Sequence, residues 1–158
     1  MVDSLIVLYD HDEEAFTSNG LGALPDAASC IVTEERNGEY EVEMEYPLTG
    51  SHFHDIQKRR ILYVKPNPYD DPQPFRIYSI TKPINGIVTV HAAHLSYDTS
   101  GSIVKLFPAD AGSASAAMSY LKNFSVPSTP FTFFTNVGKS GTMSVPKPSS
   151  IRSLLGGS

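Results

Sequence analysis

The sequence predicts a mainly β chain with some α (α+β): an antiparallel, barrel-like domain over residues 1–98 and the beginning of an α+β domain over residues 99–158. Three observations carry this reading. Residues 39–46 alternate polar and apolar side chains without a break. Two Asn-Gly pairs stand where a strand must reverse, and Asn-Gly tolerates the positive φ a tight hairpin needs. After Asp98 the sequence turns to Ala- and Ser-rich stretches with helical spacing.

Taken in order, Leu5–Tyr9 is a short, β-branched, apolar run suited to a buried strand. Asn19-Gly20 and Gly22 mark a loop. Ser29–Arg36 is the next strand, and Asn37-Gly38 is read as a two-residue type I′ turn into Glu39–Tyr46. In that second arm Tyr40, Val42, Met44 and Tyr46 face one way, and Glu39, Glu41, Glu43 and Glu45 the other. Pro47 ends the strand. Ser51–Arg60 holds a short helix or turn, and Arg60–Lys65 a strand. Pro66–Pro74 is irregular, because four prolines remove four backbone donors. Strands resume at Phe75–Thr81 and Ile87–Ala92, joined at Asn85-Gly86. That gives about six strands in the first 95 residues. The expected core comprises Ile31, Tyr40, Val42, Met44, Ile61, Tyr63, Ile77, Ile80 and Val90.

In the second domain, Asp110 or Ser113 caps a helix running to about Lys122, with Ala114, Ala117, Met118 and Leu121 as its apolar stripe. Phe131–Phe134 and Thr142–Val145 read as strands, with Gly138-Lys139-Ser140 as a hairpin turn. Ser149 or Ser150 caps a final helix that Gly156-Gly157 stops.

Composition narrows the function. The chain is 41% hydrophobic and 18% charged, a globular composition whose low charged fraction fits surface buried in an assembly. A net charge of −5 argues against a nucleic-acid gripper, which needs clustered Lys and Arg. The one basic cluster, Lys58-Arg59-Arg60, reads as solvated surface. No apolar run approaches the ~20 residues of a membrane span. Asp3 and the acidic stretch Asp10–Glu14 stand where a signal peptide has basic and apolar residues, so synthesis in the cytoplasm is expected. The lone Cys30 lies in an apolar run and reads as a small buried hydrophobe.

Catalytic and metal signatures are weak. His52 and His54 would share a face on a strand, and His91 and His94 on a helix, but zinc sites need three or four ligands. No metal-binding, phosphate-binding or nucleophile-elbow motif is present, so no catalytic residue, cofactor or metal is assigned. The glutamate row reads first as a solvated strand face, and more sharply as a face that meets a basic surface on a neighbouring subunit. The candidate interface residues are therefore Glu39, Glu41, Glu43 and Glu45, with Tyr69, Asp70 and Asp71 from the proline loop.

Three blocks resemble one family. Val32–Pro47 resembles the opening hairpin of the phage minor structural proteins, also called prophage endopeptidase tail or tail-associated lysin proteins. Phe75–Ile80 followed by Val90–Asp98 resembles their next signature, and Ser149–Gly157 the segment leading into a later β region. The resemblance implies a baseplate or tail-tip hub: a homotrimer whose N-terminal barrels form a ring that docks on the distal tail protein, with a tape measure protein as a further partner. It implies a non-enzymatic module of the virion tail. Any peptidoglycan hydrolase would lie in a C-terminal region beyond a second domain that is here cut short. Asp98 would anchor the exit from the first domain by accepting backbone N–H bonds. Two other functions remain open from the residues: a carbohydrate- or receptor-binding module using Tyr63, Tyr69 and Phe75, and part of a cell-wall hydrolase using His52, His54 or His91.

Overall fold

The computed structural model describes residues 5–36, 38–106, 112–141 and 143–156. It divides into two compact units between Leu95 and Ser96. The chain is mainly β.

The first unit is one curled, half-barrel sheet of seven antiparallel strands. They are β1 (Val7–Tyr9), β2 (Gly22–Ala23), β3 (Ser29–Glu34), β4 (Tyr40–Pro47), β5 (Ile61–Val64), β6 (Gln73–Ile80) and β7 (Ile87–His94). Their order is β2-β1-β5-β6-β7-β4-β3, which leaves β2 and β3 as open edges among the described residues. The strand absent from the sequence reading is β2, expected as loop. Only two residues long, it pairs Ala23 with Val7 and Gly22 with Leu8, too short for any periodicity to show.

The alternation in β4 sets the core. Val42, Met44 and Tyr46 are buried and pack with Leu8, Leu62, Phe75 and Val90. Gly50 leaves room for the Tyr46 ring: a Cβ there would lie 2.3 Å from it. Three expectations about the core fail. Tyr63, expected inside, points to the outer face of β5, because Leu62 and Val64 take the inward positions. Ile31 is 60% exposed, because β3 pairs it with Glu43 and so turns it to the outer face. Phe75, offered as a ligand platform, is completely buried, since it opens the inward-facing row of β6.

The two Asn-Gly reversals differ. At Asn85-Gly86 both central residues have positive φ, 51° and 80°, and Ile84 and Ile87 exchange two hydrogen bonds of 2.9 and 3.0 Å. This is a two-residue type I′ turn. At the β3–β4 hairpin, Asn37 itself lies outside the described residues. Its neighbours show a longer loop than expected: Glu35 pairs with Glu39 (N–H to carbonyl, 2.7 Å), and the Gly38 amide donates to the Glu35 carbonyl at 3.0 Å. Three residues, not two, make the reversal. The register Glu34↔Tyr40 follows from that loop length.

Part of the outer face is covered. The segment after β1 folds over β5 by stacking Phe16 on Tyr63, with ring centroids 5.2 Å apart and planes 8° from parallel. Phe16 adopts φ 51°, an uncommon conformation for a bulky residue. The Glu13 carboxylate holds it by accepting from the Ala15 and Phe16 amides. Arg76 donates to the His11 and Arg59 carbonyls at 2.9 and 2.8 Å, tying the same segment to β6. Ser51–Arg60 contains a three-residue 3-10 helix, Phe53–Asp55.

The second unit is small. A three-stranded sheet has β8 (Ile103–Val104) between β9 (Ser125–Val126) and β10 (Ser149–Ser150). Helix α1 (Ala114–Asn123) is capped by Ser113, whose side chain accepts from the Ala116 amide. Asp110, the other cap expected, lies outside the described residues. Helix α2 (Ile151–Leu154) is capped by Ser150. It ends at Gly156, whose φ of 88° is the left-handed turn a glycine stop provides; Gly157 lies outside the described residues. Leu121, Val104, Val145 and Ile151 form the core.

The expected strands Phe131–Phe134 and Thr142–Val145 do not form. Burial alternates along residues 131–135 as in a strand, but no ladder partner is present among the described residues. Thr142 lies outside them. Gly138-Lys139-Ser140 is consequently no hairpin turn. The aromatic alternation is real; the hydrogen-bonded neighbour that makes a strand is not encoded in it.

Candidate functional site

The open part of the first unit's outer face is built by β3, β4, β7 and the outward positions of β6. Antiparallel pairing brings their outward residues side by side: Glu45 lies between Ser29 and Thr89, Glu43 between Ile31 and His91, and Glu41 between Thr33 and Ala93. Tyr78, two residues on from the outward Arg76, stands on this face, half exposed, and the register slip between Ile77 and Ser79 returns Ile80 to the core side. Its hydroxyl donates to Glu41 at 2.7 Å. Ser29 donates to Glu45 at 3.2 Å, and His91 Nδ1 lies 3.7 Å from a Glu43 oxygen. The three carboxylates therefore form a straight row, spaced about 7 Å along the strand. Glu43 and Glu45 are exposed and Glu41 is half-buried.

Glu39 sits at the hairpin end, exposed, outside the row proper. Tyr69, Asp70 and Asp71 lie on the proline loop. There the Asn67 side-chain oxygen accepts from the Tyr69 and Asp70 amides, both at 2.9 Å, and its amide group donates to the Asp70 carboxylate at 2.6 Å. This turn presents Tyr69 93% exposed. Burial pushes the Tyr40 phenol upward, and the Glu34 and Asp70 carboxylates push it further. The loop and the hairpin thus approach the same end of the sheet. Ile31, Tyr78 and His91 belong to the face yet escaped sequence reading. Ile31 was legible in principle from the β3–β4 register, and Tyr78 from the alternation of β6.

The histidines do not converge. His91 faces outward, while His94 stacks on Tyr40 with centroids 4.5 Å apart at the core end. Three residues apart on a strand, they lie on opposite sides. His52 precedes a 3-10 turn and His54 lies within it, instead of the two sharing a strand face. His52 Nδ1 lies 3.1 Å from Asp55, and the His54 ring meets Phe53 edge-on. Ser51 donates to Asp26 at 2.8 Å, which lowers that carboxyl below the usual range.

Asp10, His11 and Asp12 offer three metal-ligand atoms within 4.8 Å, all exposed. The His11 side chain, hydrogen-bonded to Asp10, holds that carboxyl below its ordinary range. The Arg60 guanidinium stands 3.9 Å away and already supplies positive charge there.

Cys30 is half-buried against the core, and burial pushes its thiol up to about 11. The thiolate is the reactive form. Labelling by a disulfide reagent at pH 8 is therefore expected to run on the order of 100-fold slower in the folded protein than after unfolding. Rapid labelling of the native chain would refute the buried placement.

No family model matches this chain, and no curated protein matches it. Among solved structures, its fold is similar to the crystal structure of prophage tail protein gp18 from Listeria monocytogenes EGD-e. The TM-score is 0.63 at 13% identity, over 96% of this chain and 44% of that one. The likeness is one of fold, and the chain spans less than half the length of that neighbour.

Proposed function

We propose that the chain is a structural module of a phage tail, belonging to the tail-tip or baseplate hub of the virion. The observation that carries this reading is the fold likeness to a prophage tail protein, which extends over 96% of the chain. The three sequence blocks that resemble phage minor structural proteins point the same way. The finer reading is a trimer whose first units, residues 1–98, contribute to a ring seated on the distal tail protein. The acidic face of β4 and the Tyr69–Asp71 loop are its contact surfaces. A row of carboxylates on a flat sheet face supports this, since complementary charge sets register and speeds docking. Binding, not bond-breaking, is the activity.

The test is co-sedimentation with the distal tail ring of the same prophage. Joint sedimentation with the ring as a larger particle is expected. A strictly monomeric chain at high concentration that never sediments with the ring refutes the docking reading. The carbohydrate-binding alternative has lost Phe75 to the core and one face of Tyr63 to the Phe16 stack, so of its three rings Tyr69 alone is still open.

A further inference from the structure

The acidic face ends at an edge with no protection. Edge strands of soluble proteins are usually short, bulged, or carry Lys or Pro to deter pairing. At the opposite end of the sheet, β2 is two residues long. The β3 edge is six residues long, Ser29-Cys30-Ile31-Val32-Thr33-Glu34, with no Pro, no Lys and an unbroken register to β4. Because Glu35 and Glu39 form a hydrogen-bonded pair, the alternation turns the N–H and C=O groups of Cys30, Val32 and Glu34 to the open side. None of these groups finds a partner among the described residues.

We propose that β3 is a strand-addition site, and that its occupant is an extended segment of another protein with basic residues two apart on either side of an apolar one. The outer face supplies the reasons. An added strand would lie about 4.8 Å from β3, hence about 10 Å from the glutamate row on β4. Ser29 and Thr33 are small, and beyond them stand Glu45 and Glu41. Lysine or arginine side chains opposite Ser29 and Thr33 reach across these small residues to the two carboxylates. Between them Ile31, 60% exposed, takes an apolar side chain. The backbone supplies hydrogen bonds, and the outward positions read basic, apolar, basic. A second copy of this chain does not meet that pattern: its own β3 would place Thr33, Ile31 and Ser29 there, on a molecule of charge −5. The proposal deepens the assembly reading, on which the identity of the occupant as a tail component rests; the open edge stands without it.

The probe is the capped heptapeptide Thr-Lys-Thr-Val-Thr-Lys-Thr, titrated into the full chain and followed by amide exchange. Binding is expected to protect the amides of Cys30, Val32 and Glu34, leaving those of Ile31 and Thr33, already paired to β4, little changed. Replacing both peptide lysines by glutamate should weaken binding at least about tenfold, as should Glu41→Gln with Glu45→Gln. Val32→Pro removes one edge donor at a position where an edge strand tolerates proline, and should abolish protection. If that variant unfolds, Ile31→Lys, which adds repulsion on an exposed site, should lower affinity in its place. The proposal is overturned by equal binding of the glutamate peptide, or by protection elsewhere or nowhere. Protection of the same amides by self-association of the chain without peptide would also overturn it. Failure here alongside sedimentation with the tail ring removes the edge site alone; failure of both removes the assembly role.

Discussion

Phe75→Ala is expected to destabilise the first unit by about 3–5 kcal/mol. The ring is fully buried at the start of β6 and meets Tyr40 edge-on at 5.2 Å and His94 at 5.5 Å. Removing it forfeits the transfer energy of a large apolar group. It also leaves a cavity that Met44, Val90 and Leu62, held by strand pairing on both sides, cannot close. For a unit of this size each kcal/mol lowers Tm by about 4–8 °C, so the shift should exceed 10 °C. Thermal and denaturant unfolding of the full chain measure it. Tyr69→Ala is the internal comparison: its ring is exposed and its turn is held by Asn67, so stability should change by no more than about 0.5 kcal/mol. A loss below about 1 kcal/mol for Phe75→Ala would show the ring lies at the surface, as the ligand-platform reading required.

That contrast explains what the sequence made legible. Strict alternation over Glu39–Tyr46 gave β4, its buried side and its acidic side, because a period of two admits one arrangement when one face must leave water. Asn85-Gly86 gave its turn because both residues accept positive φ. The first hairpin was misread by one residue, since Asn-Gly is equally at home at the end of a three-residue loop. Loop length fixes register, so the slip carried Ile31 into the expected core. Phe75 was misjudged for a different reason: an aromatic next to a proline-rich loop looks exposed until the first inward position of β6 is known. In the second unit Ser113, Ser150 and Gly156 announced the helix ends by local hydrogen bonding. Residues 131–135 announced a strand whose formation depends on a neighbour that no local pattern specifies. The candidate face was half visible for the same reason. Its glutamates lie on one strand, whereas Ile31, Tyr78 and His91 arrive by the pairing of other strands beside it.

Glu43→Lys combined with Glu45→Lys is expected to abolish docking onto the tail ring, on the order of a 100-fold loss of affinity, while leaving the fold intact. Both side chains are exposed, and charge reversal breaks the Ser29 hydrogen bond at 3.2 Å and the 3.7 Å approach of His91. Exposed pairs of this kind contribute about 0.2–1 kcal/mol, so unfolding should move little. Across an interface the balance differs. Reversal removes two attractions and sets like charges against the partner's basic groups, which costs several kcal/mol. The control is Asp12→Lys with Glu14→Lys, on the exposed segment after β1. Each pair adds four units of charge and brings the chain from −5 to −1. Net charge is therefore matched and only position differs. If the face docks, the β4 pair loses binding and the control keeps it, with the wild-type affinity falling as salt rises. Equal losses in both variants would mean that overall charge, and not this face, governs association; no loss in either would release the glutamate row to the role of a solvated strand surface.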